Sequence, residues 1–380
     1  MHIRTHEVAF EAVLGSKVTA KGLLVYDGIS GATPTGEATP HGSTALPIAT
    51  IEDIRRAASL DFSLKYGRHT TTPEFSYSEE SDYISRGLSL THTIDFNQKN
   101  TTLVLGGAHN FDSVSGGVLN GVGSERKGTT DILIGVNQLL NPKTVFSANL
   151  TFGYADGYLN DPYRRATFLL PDSPDPIFSD PGSVNPVSES RPHHRFKQVG
   201  YFSLTHFVTR LNASVEAGYR LYHDDWGILA NTVSLTWNQK IGNHITVSPL
   251  FRYYHQTAAD FYAPSFAGVS FDEYASGTRV AFQDGVFVGF EGEPSFPTQA
   301  DQAGFQIVNV PPRQRYYSSD YRLSEFDAFT FGVGTHVKLG EHFSVDLAYK
   351  RYEMQGRDAV TPRSTYPSAN VISIGCGVWF

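Results

Sequence analysis

Along most of the chain apolar and polar residues alternate with a period of two, the pattern of a β-strand with two unlike faces, and the 3.6-residue period of an amphipathic helix is almost absent. In "KTVFSANLTFGY" Val145 falls out of step, but Phe146, Ala148, Leu150, Phe152 and Tyr154 share one face and Ser147, Asn149, Thr151 and Gly153 the other. The same split runs through "RLNASVEAGYRLY", where Leu211, Ala213, Val215, Ala217, Tyr219 and Leu221 oppose Asn212, Ser214, Glu216, Gly218, Arg220 and Tyr222. In "HFSVDLAYK" Phe343, Val345, Leu347 and Tyr349 oppose Ser344, Asp346, Ala348 and Lys350.

Alternation alone also fits a soluble sandwich, because one face of any such sheet meets a core. The lengths and connections separate the two cases. Alternating segments of about 10 to 14 residues exceed the roughly 5 or 6 usual in soluble sheets and suit a tilted strand crossing a bilayer. Tight turns at "LGSK", "FNQKN", "LNPKT", "KIGNH" and "LGEH" alternate with longer polar connections, above all 157–195 and 258–319. Short turns on one rim and long loops on the other are expected of an outer-membrane barrel.

The pattern predicts about 15 strands, near 6–15, 17–27, 53–67, 74–80, 83–96, 100–110, 127–139, 143–156, 196–209, 211–223, 228–240, 244–257, 320–339, 342–354 and 370–380. The expected fold is all-β: a single transmembrane antiparallel β-barrel over 1–380, in the outer membrane of a Gram-negative bacterium, with both long connections extracellular. Such barrels normally have an even strand number with both ends periplasmic, and "LGSK" makes the first strand run inward. An outward strand and a signal peptide are therefore expected before Met1, for a complete form of about 16 strands.

In that barrel, parity points Lys21, Asp61, Lys65, Asp95, Asp131, Glu216, Arg220, Arg252, Lys338, Asp346 and Lys350 to the lumen. Both signs are present, so the list by itself predicts no strong selectivity for anions or cations. Composition agrees with a membrane barrel and excludes other classes. Charged residues are 18% and aromatics 13%, and the net charge of −8 argues against nucleic acid as a partner. The one cysteine, Cys376, excludes an internal disulfide framework and a Cys-based metal site.

Acidic and aromatic residues gather where strands meet the long loops. Asp224, Asp225 and Trp226 fill a tight turn, Asp260 follows the next paired strand, and Asp320 precedes another, with Glu79, Glu80, Asp82 and Asp161 at similar strand ends. Two readings stand side by side: acids that collect a divalent cation or grip lipopolysaccharide through bridging ions, or Asp residues that cap turns beside an aromatic girdle. Catalytic motifs are missing: there is no G-x-S-x-G, H-E-x-x-H, P-loop or C-x-x-C-H, and no cofactor is expected. An outer-rim hydrolase would have to draw on Asp224, Asp225, His223 and His255, and the pair His193-His194 offers a weak metal site.

The chain ends on "VISIGCGVWF". Ser373, Gly375, Val378 and Phe380 stand where outer-membrane barrels carry the polar, glycine, apolar and aromatic residues of their last strand, so the end resembles the signal read by the barrel assembly machinery. Across the whole chain, "YDGISGATPTG", "DFNQKNTTL", "GYLNDPYR", "YRLYHDDWGI", "RYYHQTAADFY" and "SSDYRLSEFDA" resemble, in order, the DUF3570 family of bacterial outer-membrane proteins, which has no assigned activity. The resemblance implies a barrel and transfers no catalytic residue. The expected function is a channel or a loop-presenting scaffold embedded in lipid and lipopolysaccharide. The alternatives are a barrel partnered with a lipoprotein or a periplasmic redox system, and a rim hydrolase.

Overall fold

Alternating residues form extended ladders because each strand can put its apolar side chains on one face and its polar ones on the other. In a computed structural model of the chain they build one antiparallel sheet of 15 strands in sequence order. The structure describes residues 2–37, 45–116, 122–169, 187–267, 279–283, 286–309 and 315–380. The strands are β1 (His2–Val13), β2 (Val18–Pro34), β3 (Ile48–Tyr66), β4 (His69–Glu79), β5 (Tyr83–Phe96), β6 (Thr101–Gly116), β7 (Val122–Asn141) and β8 (Thr144–Gly157). After the first long connection come β9 (His194–Val208), β10 (Ala213–Asp224), β11 (Leu229–Ile241), β12 (Ile245–Gln256), β13 (Phe326–Leu339), β14 (Phe343–Gly356) and β15 (Ser368–Val378). Each pairs with its sequence neighbours, and β1 and β15 occupy the two ends of the sheet order.

These strands coincide with the predicted ones, with displaced ends. β2 runs on to Pro34, and β3 and β4 begin at Ile48 and His69, each about five residues earlier than alternation indicates. β13 begins only at Phe326, because Asp320 accepts a hydrogen bond from the Arg322 amide (3.1 Å) and caps a short 3₁₀ turn over Tyr321–Leu323. The short-turn rim is tight: Asn97, Gln98 and Lys99 all take positive φ between β5 and β6.

The register gives each face its chemistry. Phe10, Leu60, Phe75 and Leu88 lie on connected rows of one face, as do Ile132 with Phe152 and Ile134 with Leu150. That face is exposed across the sheet, from Val8 at 62% to Ile374 at 77%. The opposite face carries Glu11, Lys21, Asp61 and Glu74 on one row and Asp131, Gly153, Lys197 and Asp224 on another. No helix among the described residues is long and apolar enough to cross a membrane.

The long connections are more structured than polar loops. Arg165–Ala166 pairs antiparallel with Val187–Ser188, Phe168–Leu169 pairs parallel with Phe266–Ala267, and Arg279–Gln283, Val286–Phe290 and Phe305–Asn309 form a three-stranded sheet. Ala166, Phe168, Phe266 and Tyr317 make a buried apolar cluster there. The reason is local apolar content: these connections carry aromatic residues that bury against each other once the chain folds back. Segments 170–186 and 268–278 of the expected extracellular loops lie outside the described residues.

Candidate functional site

Polar-face residues of β5, β6, β7, β8, β9, β10 and β12 line one cavity of about 870 Å³. In a flat sheet β5 and β12 would stand about 34 Å apart, seven spacings of about 4.8 Å, whereas a sphere of that volume is only about 12 Å across. The sheet therefore curls around its polar face. Loop residues Tyr158 to Tyr163, Arg191 and Asp320 to Leu323, apart from Tyr321, line the same cavity, so the long connections fold over its mouth.

A charge network holds that cap. Asp320, 1% exposed, accepts from the Nε of Arg322 (2.9 Å) and from Arg191 (2.9 Å), and Arg164 approaches to 3.6 Å. Arg191 also pairs with Glu189 (2.7 Å), whose carboxylate accepts from the Ser318 hydroxyl (2.6 Å) and the Asp161 amide. Arg322 reaches Asp161 as well. Burial by itself would raise the Asp320 carboxyl, but Arg322, Arg191 and Arg164 override it and hold the group well below the usual carboxylate range. The Tyr163 hydroxyl donates to Asp82 and ties the cap to the turn before β5, and burial, reinforced by Glu189 and Asp161, pushes the Tyr158 hydroxyl up to about 12.

A second anchor is the turn between β10 and β11. Asp224, also 1% exposed, accepts from the amides of Trp226 (3.0 Å) and Ile228 (3.1 Å), the Tyr222 hydroxyl (2.6 Å) and Arg195 Nε (2.8 Å). Gly227 at φ +86° completes the turn, and a Cβ there would stand 2.2 Å from Asp260 Oδ1. Trp226 and Ile228 pack with Ala230, Ala259, Phe261 and Leu323, an apolar floor beneath the cap.

Of the two readings of the rim acids, Asp224 and Asp320 make the bonds of caps and arginine partners. Asp225 is exposed and accepts from the Phe196 amide (2.9 Å); Asp260 is exposed and its amide donates to the Trp226 carbonyl (2.9 Å). The acids that do converge include one the sequence did not single out: oxygens of Asp53, Glu80 and Asp82 lie within 4.8 Å of one another. Burial first, then Asp53 and Asp82, raises the Glu80 carboxyl. Asp53 is already engaged by the amides of Ile54 (2.7 Å) and Ser81 (3.2 Å). His223 and His255 project from the apolar face, where His255 meets Asp327 (2.9 Å), and His194 lies 3.9 Å from Asp225.

The eleven charged positions assigned by parity share the polar face but do not gather. Asp131 and Arg220 line the cavity. Lys21 pairs with Glu11 (3.0 Å) and stands opposite Asp61; Lys65 stands opposite Thr70; Asp95 accepts from Thr102 (2.8 Å). Asp131 lies 3.9 Å from Lys197, Asp346 meets His336 (2.8 Å), and Lys338 lies over Trp379 near the short-turn rim. Glu216, Arg252 and Lys350 lie on the polar faces of β10, β12 and β14. Ser373, Gly375 and Val378 are in the terminal strand, away from the cavity, and Phe380 follows it. Sequence reasoning missed Arg164, Arg191, Arg322 and Glu189, although Arg164 and Arg322 sit inside "GYLNDPYR" and "SSDYRLSEFDA", beside the acids they bind.

Fold and site together define an all-β protein with one long antiparallel sheet, curled around a loop-capped polar cavity and apolar on its other face. The chain belongs to the DUF3570 family, described as proteins of unknown function, whose match spans residues 1–366. No curated protein matches the sequence. Among solved structures, the siderophore receptor PirA from Pseudomonas aeruginosa is 12% identical at a TM-score of 0.43, covering 98% of this chain and 58% of its own. A bacterial polysaccharide outer membrane secretin is 7% identical at 0.47, covering 100% and 91%, and CdiB from Acinetobacter baumannii is 10% identical at 0.46, covering 93% and 60%. The chain thus spans little more than half the length of the PirA receptor.

Proposed function

We propose that the chain is an outer-membrane β-barrel whose polar face surrounds an aqueous channel narrowed by its own long connections. One observation carries this reading: the apolar face is exposed across the sheet while the polar face and the loop cap share a single cavity. Leaving that apolar face in water would cost about 25 cal/mol per Å², whereas lipid meets it at no such cost. A charged interior face needs water or polar loops against it, and the cap residues supply the latter. In this reading β15 is the strand presented to the barrel assembly machinery, and the surrounding partners are lipid and lipopolysaccharide.

The test is a planar-bilayer recording of the purified, folded protein. Discrete conductance steps are expected, and they should enlarge in Asp320→Asn, which loosens the cap. Absence of conductance from protein with intact strand content would retire the channel in favour of a scaffold that displays its loops.

A further inference from the structure

Five strand cations on the polar face have a carboxylate: Lys21 with Glu11 (3.0 Å), Arg55 with Asp27 (2.9 Å), Lys127 with Asp112 (3.6 Å), Lys197 with Asp131 (3.9 Å) and Arg195 with Asp224. Among the described residues the other six have no ion-pair partner: Lys65, Lys240 and Lys338 stand at the short-turn ends of their strands, while Arg220, Arg252 and Lys350 lie further in, on one wall. The register shows how they are arranged. Arg220 on β10 faces Thr232 on β11, whose other neighbour is Tyr254 on β12. Arg252 is two residues from Tyr254, on the row Gly218, Ser234, Arg252, Thr330, Tyr352. Lys350 is on the next row, Glu216, Thr236, Leu250, Gly332, Lys350. Each step from one cation to the next crosses two strands and moves two residues away from the cap, about 12 Å between Cα atoms.

The positions between them are mostly small. Gly218, Ser234, Thr232, Thr330 and Gly332 are small, and the two glycines make room for neighbouring side chains: a Cβ at Gly332 would meet Lys350 Cγ at 2.9 Å and one at Gly218 the Tyr201 hydroxyl at 3.0 Å. Aromatic rings flank both arginines on the cap side: the Arg220 guanidinium stands 5.4 Å from the Tyr222 ring and that of Arg252 6.0 Å from Tyr254. The acids of this wall do not neutralise them. Asp224 is taken by Arg195, Glu216 stands four residues along β10 from Arg220, and Asp346, hydrogen-bonded to His336, stands four residues along β14 from Lys350, each about 13 Å. Three uncompensated cations on a low-dielectric wall concentrate anions, and guanidinium groups bind carboxylate and phosphate oxygens in a bidentate manner.

We propose that Arg220, Arg252 and Lys350 form a diagonal series of binding positions for small organic anions bearing carboxylate or phosphate groups, descending from beneath the loop cap. Arg220 also lines the capped cavity, which makes it the first of the series. As a path for permeation this rests on the channel reading; as a binding site it does not.

The experiment separates the two. Calorimetric titration of the full chain in detergent with citrate, with pyrophosphate and with neutral glucose measures binding, and bilayer recording in a salt gradient measures selectivity. Citrate or pyrophosphate should bind and glucose should not; which anion binds more tightly decides between carboxylate and phosphate as the preferred group. Arg220→Gln and Arg252→Gln should each weaken binding by about tenfold or more, since each removes a charge-assisted bond. Lys143→Gln, on a short turn, should leave it unchanged. In the bilayer the wild type should prefer anions, and the triple variant with Lys350→Gln should lose the preference. Binding without conductance would sink the channel while upholding the site. Failure of both anions to bind, or equal binding by variants of unchanged strand content, would overturn the inference.

Discussion

Replacing Asp320 by Asn keeps the shape of the side chain and removes the one charge shared by three arginines of the cap. Asp320 is 1% exposed and bonded to Arg191 and Arg322 at 2.9 Å, with Arg164 at 3.6 Å. Breaking a buried ion pair by removing one partner costs about 3 to 5 kcal/mol. Arg191 keeps Glu189 and Arg322 keeps Asp161, so the lower figure, about 3 kcal/mol, applies here. At about 1.4 kcal/mol per tenfold, cap opening becomes roughly a hundredfold more frequent. Hydrogen exchange should therefore show about a hundredfold loss of protection in 158–169, 187–193 and 318–324, with β5 to β10 unchanged. The effect has a pH signature. Because the carboxyl is held below its ordinary value of 3.8, its contribution is complete above that pH and declines as pH falls further toward the folded-state value. The difference between wild type and Asp320→Asn should accordingly shrink below about pH 4. Equal protection in the two proteins at pH 7 would refute the assignment of Asp320 as the centre of the cap.

Two further outcomes concern the other rim acids. Asp224→Ala strands Arg195, the Tyr222 hydroxyl and two amides, and should lower stability by about 3 kcal/mol or more; Asp225→Asn, at an exposed position, should cost under about 1 kcal/mol, both read from the thermal transition in detergent. Glu80 has a raised carboxyl, so its ionisation opposes folding progressively as pH rises above 4.5. Glu80→Gln should therefore raise the transition temperature at pH 8 and leave it unchanged at pH 4, and a loss at pH 8 would contradict the reading.

The strand ladder was legible because a two-residue period leaves its mark within a dozen consecutive residues, as in "KTVFSANLTFGY". Parity then put Arg220, Arg252 and Lys350 on one face without any knowledge of partners. The cap was not legible. Its bonds join positions 129 and 161 residues apart, Arg191 to Asp320 and Asp161 to Arg322, in connections that lack periodicity. Attention to the acids alone also hid their role, since Arg164 and Arg322 stand two or three residues away from Asp161 and Asp320 in the same phrases.

By itself, then, the sequence determined which residues extend, where the chain turns and which side chains share a face, because these depend on neighbours within a turn or a strand. Tertiary structure alone decided that Asp224 and Asp320 are buried anchors, that Arg195 is neutralised, and that Arg220, Arg252 and Lys350 are not. Those outcomes depend on register and on how long connections fold back, and a shift of one residue in pairing would exchange every face and every partner.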